Sequence, residues 1–421
     1  MRTLLKPVFC LFVALALLKS LFVSVVQASE PTTLNFSLLV FNGEQRSAYA
    51  AQVKAFEQAY PHIKVNMRAL ESERYKQRIE SWLRAESHSD VMYWFGGERL
   101  NWYIRQGWVR AIDDLWQDRA WDERITSGAK TAVTTNGKTY ALPIHYYHWG
   151  LYYKKSLFQQ LKLKPPRTWE EFIAVCDALK RESIAPIALG SKEVWPVASW
   201  FDYFNLRLNG LAFHRALVDG EVSYLDERLD KVFAHWRSLI DSAYFLPDHN
   251  RWTWREVIPF LYRGSAGMFL MGNFWTSQIP AHLRDDFEVI PFPLIDQKMP
   301  FYEEAPTNVL FIPRNVKNLK TAELFLDFMA QPQVQAELNE AVGMMAPQRN
   351  ANQQFDHFLK AGKEYLKRAE GISQYYDRDN PKPIATKGME QLLRFMNNPD
   401  DLPKVRESLE ALRSASFDLP Q

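Results

Sequence analysis

Several groups of side chains in this 421-residue sequence have the types and spacing to do chemistry. His145 and His148 stand at i and i+3, which invites a reading as a metal pair. They close an extended run, however, where alternation sends them to opposite faces, so contact with a ligand or with solvent is expected instead. Glu303-Glu304 and Asp285-Asp286 are adjacent acids. A glycosidase needs two carboxyl groups at a defined separation across the scissile bond; neighbours on a chain define none, and a solvated face is expected of both pairs. No H-E-x-x-H or G-x-S-x-G occurs, and no Lys-Ser/Thr follows Gly264 and Gly267 to make a phosphate loop. What remains is aromatic. Rings make up 14% of the chain, and Tyr146, Tyr147, His148 and Trp149 stand in one clump. Flat side chains with polar tips suit a wet binding cleft, although core packing takes most of the surplus.

That clump is framed by readable elements. Asn136-Gly137 marks a tight turn, Thr139 to Ile144 reads as a strand, and Pro143 confines it to a strand end or a sheet edge. Gly150 to Tyr153 reads as a second strand. After Pro165-Pro166, Thr168 and Glu171 form a capping box, and Phe172, Cys176 and Leu179 make one apolar helix face. Upstream, strand Leu34 to Phe41, a helix carrying Tyr49, Val53, Phe56 and Tyr60, strand Ile63 to Met67, helix Tyr75 to Ala85 and strand Asp90 to Phe95 imply a parallel sheet. Ligands collect at the carboxyl ends of such strands, here Asn42-Gly43-Glu44 and Gly96-Gly97-Glu98-Arg99. For Glu98 and Arg99 a solvated helix start is the equal alternative. Downstream, Leu229, Val232, Phe233, Trp236 and Ile240 give a helix with Trp236 in the core. Pro291 and Pro293 mark a second crossing between halves, strand Asn308 to Ile312 and two helices follow, and a helical tail runs from Pro347.

The first 28 residues read as an export leader: Arg2 and Lys6, then the apolar run Val8 to Leu18, then Val26-Gln27-Ala28 as a cleavage site. An uncleaved anchor is the alternative. Removal takes away Arg2, Lys6 and Lys19 and no acid, so the net charge moves from +2 to −1. No charge argument for nucleic acid or a membrane surface survives. Cys176 is the single cysteine beyond the leader, so no internal disulfide forms.

Ordered along the chain, Ala55-Phe56-Glu57 to Pro61-His62-Ile63-Lys64-Val65, Ser89-Asp90-Val91, Gly137 to Pro143, Leu151 to Lys155, Pro166 to Phe172, Arg263 to Met268 and Gly272 to Trp275 carry a resemblance. The sequence resembles the extracellular solute-binding proteins of ABC importers, in the sugar-binding branch that includes maltodextrin-binding protein. Lys154-Lys155 and Ser89 depart from the family's usual Asn-Lys and Pro. The resemblance implies a periplasmic binding protein fold of class α/β, with two lobes, a ligand cleft and two or three hinge crossings. It divides the chain into residues 29–142 plus 293–343 and residues 143–292 plus 344–421. It places Asn42, Glu44, Glu98, Arg99, Tyr147, Trp195 and Trp275 near the cleft, with Tyr147 the leading candidate of the clump. A carbohydrate ligand, permease subunits as partners, a monomer without cofactor or metal, and a periplasmic location follow as expectations. A sensor role and a secreted glycosidase are the alternatives.

Overall fold

The computed structural model describes residues 32–85 and 89–417, so the expected leader lies outside the described residues. Among those residues no helix is long and apolar enough to cross a membrane. The chain opens with β1 (Thr32–Val40), α1 (Gly43–Ala59), β2 (Ile63–Glu71), α2 (Ser72–Arg84), β3 (Val91–Phe95) and α3 (Glu98–Arg105). β1 pairs in parallel with both β2 and β3, as the alternating order demands. Leu38, Leu39 and Val40 are buried in its run, and α1 turns Tyr49, Val53 and Phe56 onto it. Asn42 caps α1, its Oδ1 accepting from the Gln45 amide at 2.8 Å.

β4 (Ala141–Tyr146), β5 (Trp149–Lys154), α4 (Trp169–Arg181), β6 (Ala185–Ala188), α5 (Ala198–Leu208), α6 (Arg228–Asp241), β7 (Ala266–Gly272) and β8 (Phe287–Ile290) follow. Then come β9 (Tyr302–Glu304), β10 (Thr307–Phe311), α7 (Leu319–Met329), α8 (Pro332–Val342), α9 (His357–Arg368) and β11 (Gly371–Ser373). The first sheet runs β2-β1-β3-β10-β4 and the second β8-β5-β7-β6. β10 returns antiparallel between β3 and β4, which leaves Pro143 on an edge strand where its missing N–H costs little. Asn136 and Gly137 both adopt positive φ, 51° and 73°, in the turn between two short paired strands. The Thr168/Glu171 capping box is present at α4, and Trp236 on α6 is fully buried.

The passage from one sheet to the other falls at Tyr147-His148, so a division at 142/143 would cut β4. β9 lies in the second crossing, yet it pairs with β11 and packs on α5, which places it with the second lobe and not with the stretch 293–343 as a whole. Gly343 is the left-handed cap of α8 at φ 64°, and the third passage comes later, after Gln354. Met345, Arg349 and Gln354 still bond Tyr146, Arg124 and Glu340 of the first lobe, whereas Asp356 pairs with Arg284 of the second; residues 344–354 therefore stay with the first lobe. Asn273 ties the first passage to the end of α8. Its amide donates to the His148 carbonyl at 2.9 Å, its Nδ2 donates to the Gly343 carbonyl at 2.5 Å, and its Oδ1 accepts from the Tyr152 hydroxyl at 3.0 Å.

Candidate ligand-binding cleft

Between the sheets lies a cavity of about 430 Å³, its open mouth included. The first lobe contributes Phe41, Ser72, Lys76 and Phe95, from strand ends and the start of α2. The second contributes Trp149, Trp195, Trp254 and Phe274, while Tyr375, Asp377 and Arg378 arrive from the segment after β11. Trp149 stacks on Tyr375 with centroids 4.7 Å apart and planes 9° from parallel. Trp195 stands edge-on to Trp149 and to Trp254, each at 6.2 Å. Phe274 stands edge-on to Trp254 at 5.4 Å and stacks on Phe41 of the opposite lobe at 5.4 Å. Gly272 is required here: a Cβ would meet the Phe274 ring at 2.5 Å and the Tyr147 ring at 2.8 Å.

The polar side of the cavity is fixed by Arg378. Its Nη2 donates to the Tyr147 hydroxyl at 2.8 Å, and its Nη1 donates to Asn308 Oδ1 at 2.9 Å and to the Thr307 carbonyl at 3.1 Å. Burial pushes the Tyr147 hydroxyl up to about 12 despite the guanidinium beside it, so it stays a phenol. The segment is held from both lobes: Gln374 Oε1 accepts from the Thr307 amide at 2.8 Å, Asp202 accepts from the Tyr376 amide at 2.7 Å, and the Tyr375 hydroxyl donates to the Trp195 carbonyl.

A second cavity adjoins the first, sharing Lys76, Trp195 and Asp377 with it and adding Arg99 and Glu193. Arg99 Nη1 lies 3.9 Å from Asp377 Oδ2, with its guanidinium over the Trp94 ring. Burial raises the Glu193 carboxyl, offset by Arg255 at 3.5 Å. Arg99 Nε, Glu193 Oε2 and Trp149 Nε1 are buried without a partner. Buried polar atoms are nearly always satisfied, so these three can take up the donors and acceptors of a polar solute.

The family model for bacterial extracellular solute-binding proteins matches residues 42–336. The chain belongs to that family. An ABC transporter extracellular-binding protein of Pyrococcus horikoshii is 25% identical over 318 residues, 73% of this chain and 70% of the relative. The multiple sugar-binding protein of Streptococcus mutans is 25% identical over 203 residues, 46% of this chain and 48% of that one. In fold, AcbH, a bacterial solute receptor with an exclusive preference for β-D-galactopyranose, superposes with a TM-score of 0.87 at 24% identity. That superposition covers 92% of this chain and all of AcbH.

In this solute-binding protein the residues singled out from sequence scatter. Tyr147 and Trp195 line the cavity and Arg99 its neighbour. Asn42 sits at the mouth, its Nδ2 donating to Ser277 Oγ of the facing lobe at 3.1 Å. Glu44 is exposed on the first turn of α1, and Glu98 is spent in an ion pair with Arg105; neither lines either cavity. Trp275 is not a cleft residue. Its ring is fully buried in the second lobe, edge-on to Tyr152, Phe269 and Phe287 at 5.2 to 5.7 Å, because the 3₁₀ turn Asn273–Gln278 sends it away from Phe274. Trp149, a member of the aromatic clump, lines the cavity beside Tyr147, whereas Trp254, Phe274, Tyr375, Asp377 and Arg378 are not among the candidates the sequence offers. The run Tyr375-Tyr376-Asp377-Arg378-Asp379, rings beside charges in an otherwise helical tail, was the available signal.

The two histidines face neither ligand nor solvent. His145 is enclosed in the first lobe between the Tyr49 hydroxyl at 2.7 Å and Asn339 Oδ1 at 2.6 Å, and burial pushes it down to about 4. His148 is enclosed in the second beside Tyr152 and is pushed down to about 3. Nor is Glu303-Glu304 solvated. Both side chains are buried, Glu303 pairing with Arg207 at 2.6 Å. Asp286 instead caps the turn at Ser156, accepting from its amide and hydroxyl at 2.7 and 2.6 Å. Among the described residues no group of three or more His, Cys, Asp and Glu could hold a metal ion.

Proposed function

We propose that the protein is the substrate-binding component of an ABC importer, exported to the periplasm, where it captures a carbohydrate between its lobes and delivers it to membrane permease subunits. The observation that carries this reading is the cavity itself: a wall of stacked Trp, Tyr and Phe facing Lys76, Asp377, Arg378 and Arg99 across a gap between two sheets. A pyranose ring has apolar C–H faces that lie on such rings, and hydroxyls that need carboxylate, guanidinium and indole partners. Hinge closure about the three passages then encloses it. The sugar named for the Streptococcus relative and the galactopyranose named for AcbH support the same class. Thermal-shift screening against mono- and oligosaccharides at ~1 mM is the test. A sugar bound at ~10 μM should stabilise the fold by about 2.7 kcal/mol. A panel in which no sugar stabilises it, while amino acids or polyamines do, would sink the proposal.

A further inference from the structure

Beneath the cleft segment lies a pair of acids that ligand contact does not explain. Asp202 on α5 and Glu304 at the end of β9, which packs on α5, are both fully buried. Asp202 Oδ1 and both Glu304 carboxyl oxygens have no hydrogen-bond donor among the described residues, and each acid lies in the field of the other. Asp202 Oδ2 accepts from the Tyr376 amide at 2.7 Å, while Glu304 is paired through its strand with Ser373 on β11. The two acids thus bracket residues 373–376, immediately before Asp377 and Arg378 enter the cavity.

Among the described residues neither acid has a cation in hydrogen-bond or ion-pair contact. The Arg207 guanidinium is taken by Glu303 and by the Phe292 and Tyr302 carbonyls, and that of Arg378 by the Tyr147 hydroxyl, Asn308 and the Thr307 carbonyl. The other groups facing the pair are acids or phenols: Glu303 beside Glu304, Asp377 and Asp379 on the cleft segment, Tyr203 on α5, and Tyr224, Tyr375 and Tyr376. Of these, Asp377 has Arg99 as its counter-ion, and Asp379 accepts from the Gln374 amide at 2.9 Å with Arg215 nearby. Two neighbouring buried carboxyls without a donor or a counter-charge do not both ionise, and a proton kept by one can be donated to the other's unpartnered oxygen. Burial and mutual repulsion raise both groups accordingly.

We propose that Asp202 and Glu304 are positioning residues, bridged by a single shared proton that clamps Tyr375 to Arg378 in the geometry the ligand meets. The inference rests on the reading of this cleft as the ligand site, and its test needs no ligand. Hydrogen exchange at pH 7 should show E304A losing protection in a peptide spanning 371–380 by about tenfold or more, beyond any loss elsewhere, while E304Q and D202N retain it by donating in place of the shared proton. Thermal unfolding between pH 7.5 and 9, above the range in which the buried histidines contribute, supplies the second readout. The wild type should lose stability as pH rises, because the unfolded carboxyls release protons that the folded pair keeps, and E304Q should flatten that slope. An E304Q slope equal to wild type, or an E304A effect spread evenly over the chain, overturns the proposal. D-galactose titrated in parallel separates the two claims: failure to bind counts against that sugar as ligand and leaves the exchange result standing.

Discussion

On the first-lobe wall the cavity meets Phe41, Ser72, Lys76 and Phe95, whereas the facing wall is Trp149, Trp195, Trp254 and Phe274. The second set is a packed surface whose rings touch one another and Tyr375, so it is formed before any ligand arrives. The first set consists of separate residues at strand ends and a helix start, reaching across through the Phe41–Phe274 stack and the Asn42–Ser277 hydrogen bond. Apolar area on one lobe and scattered polar reach on the other assign them different work. Under the proposed function the aromatic wall would supply the surface a sugar face lies on, and the first lobe would complete the hydrogen bonding on closure.

Trp275 and Trp195 divide that picture most sharply. Trp275→Ala empties a closed core site and should cost roughly 3–5 kcal/mol in denaturant unfolding. Its effect on sugar affinity should be small in protein that remains folded. Trp195, half-buried on the cavity, should behave the other way. Trp195→Ala should weaken binding of the stabilising sugar by roughly 2–3 kcal/mol in calorimetry, with the smaller stability loss of the two. If Lys76→Ala weakens binding as much as Trp195→Ala, the proposed asymmetry between walls is wrong. The buried histidines give an acid-side measurement of each lobe's core. His145 titrates near 6.5 unfolded and about 4 folded, so its neutral form favours the fold above pH 6.5, and that stability is lost as pH falls toward 4. The loss should approach about 1.4 kcal/mol per pH unit in that window, and His145→Gln should reduce the slope in urea titrations. The smallest effect belongs to the mouth. Asn42→Ala removes both a helix cap and a cross-lobe hydrogen bond, for about 1 kcal/mol of stability and less than that in affinity.

Much of this architecture can be read from local chemistry. The α4 capping box, the Asn136-Gly137 turn and the edge position of Pro143 each depend on a few neighbouring residues, and each occurs where those residues stand. The cleft depends on partners far apart in the chain. Arg378 reads as an ordinary tail residue until Thr307 and Asn308 of β10 and Tyr147 meet it. Glu303 reads as solvated until Arg207, 96 positions away, is folded against it. Phe274 and Trp275 are adjacent and both aromatic, and only the 3₁₀ turn decides which of them faces the cavity. Spacing names the elements; tertiary contact selects the lining.

The meeting of Asn42 with Ser277 has a practical consequence. It brings one side chain from each lobe together at the rim, outside the aromatic wall. Cys176, the one cysteine among the described residues, is buried, and burial pushes its thiol well up, which makes it a poor competitor in thiol exchange. A cysteine pair installed at 42 and 277 would place one thiol on each lobe across the rim, and a disulfide between them would hold the molecule shut as a covalent clasp, with the buried Cys176 left out of the exchange. Solute trapped inside would then leave only on reduction, and a washed, clasped sample could be opened to identify its natural cargo by mass.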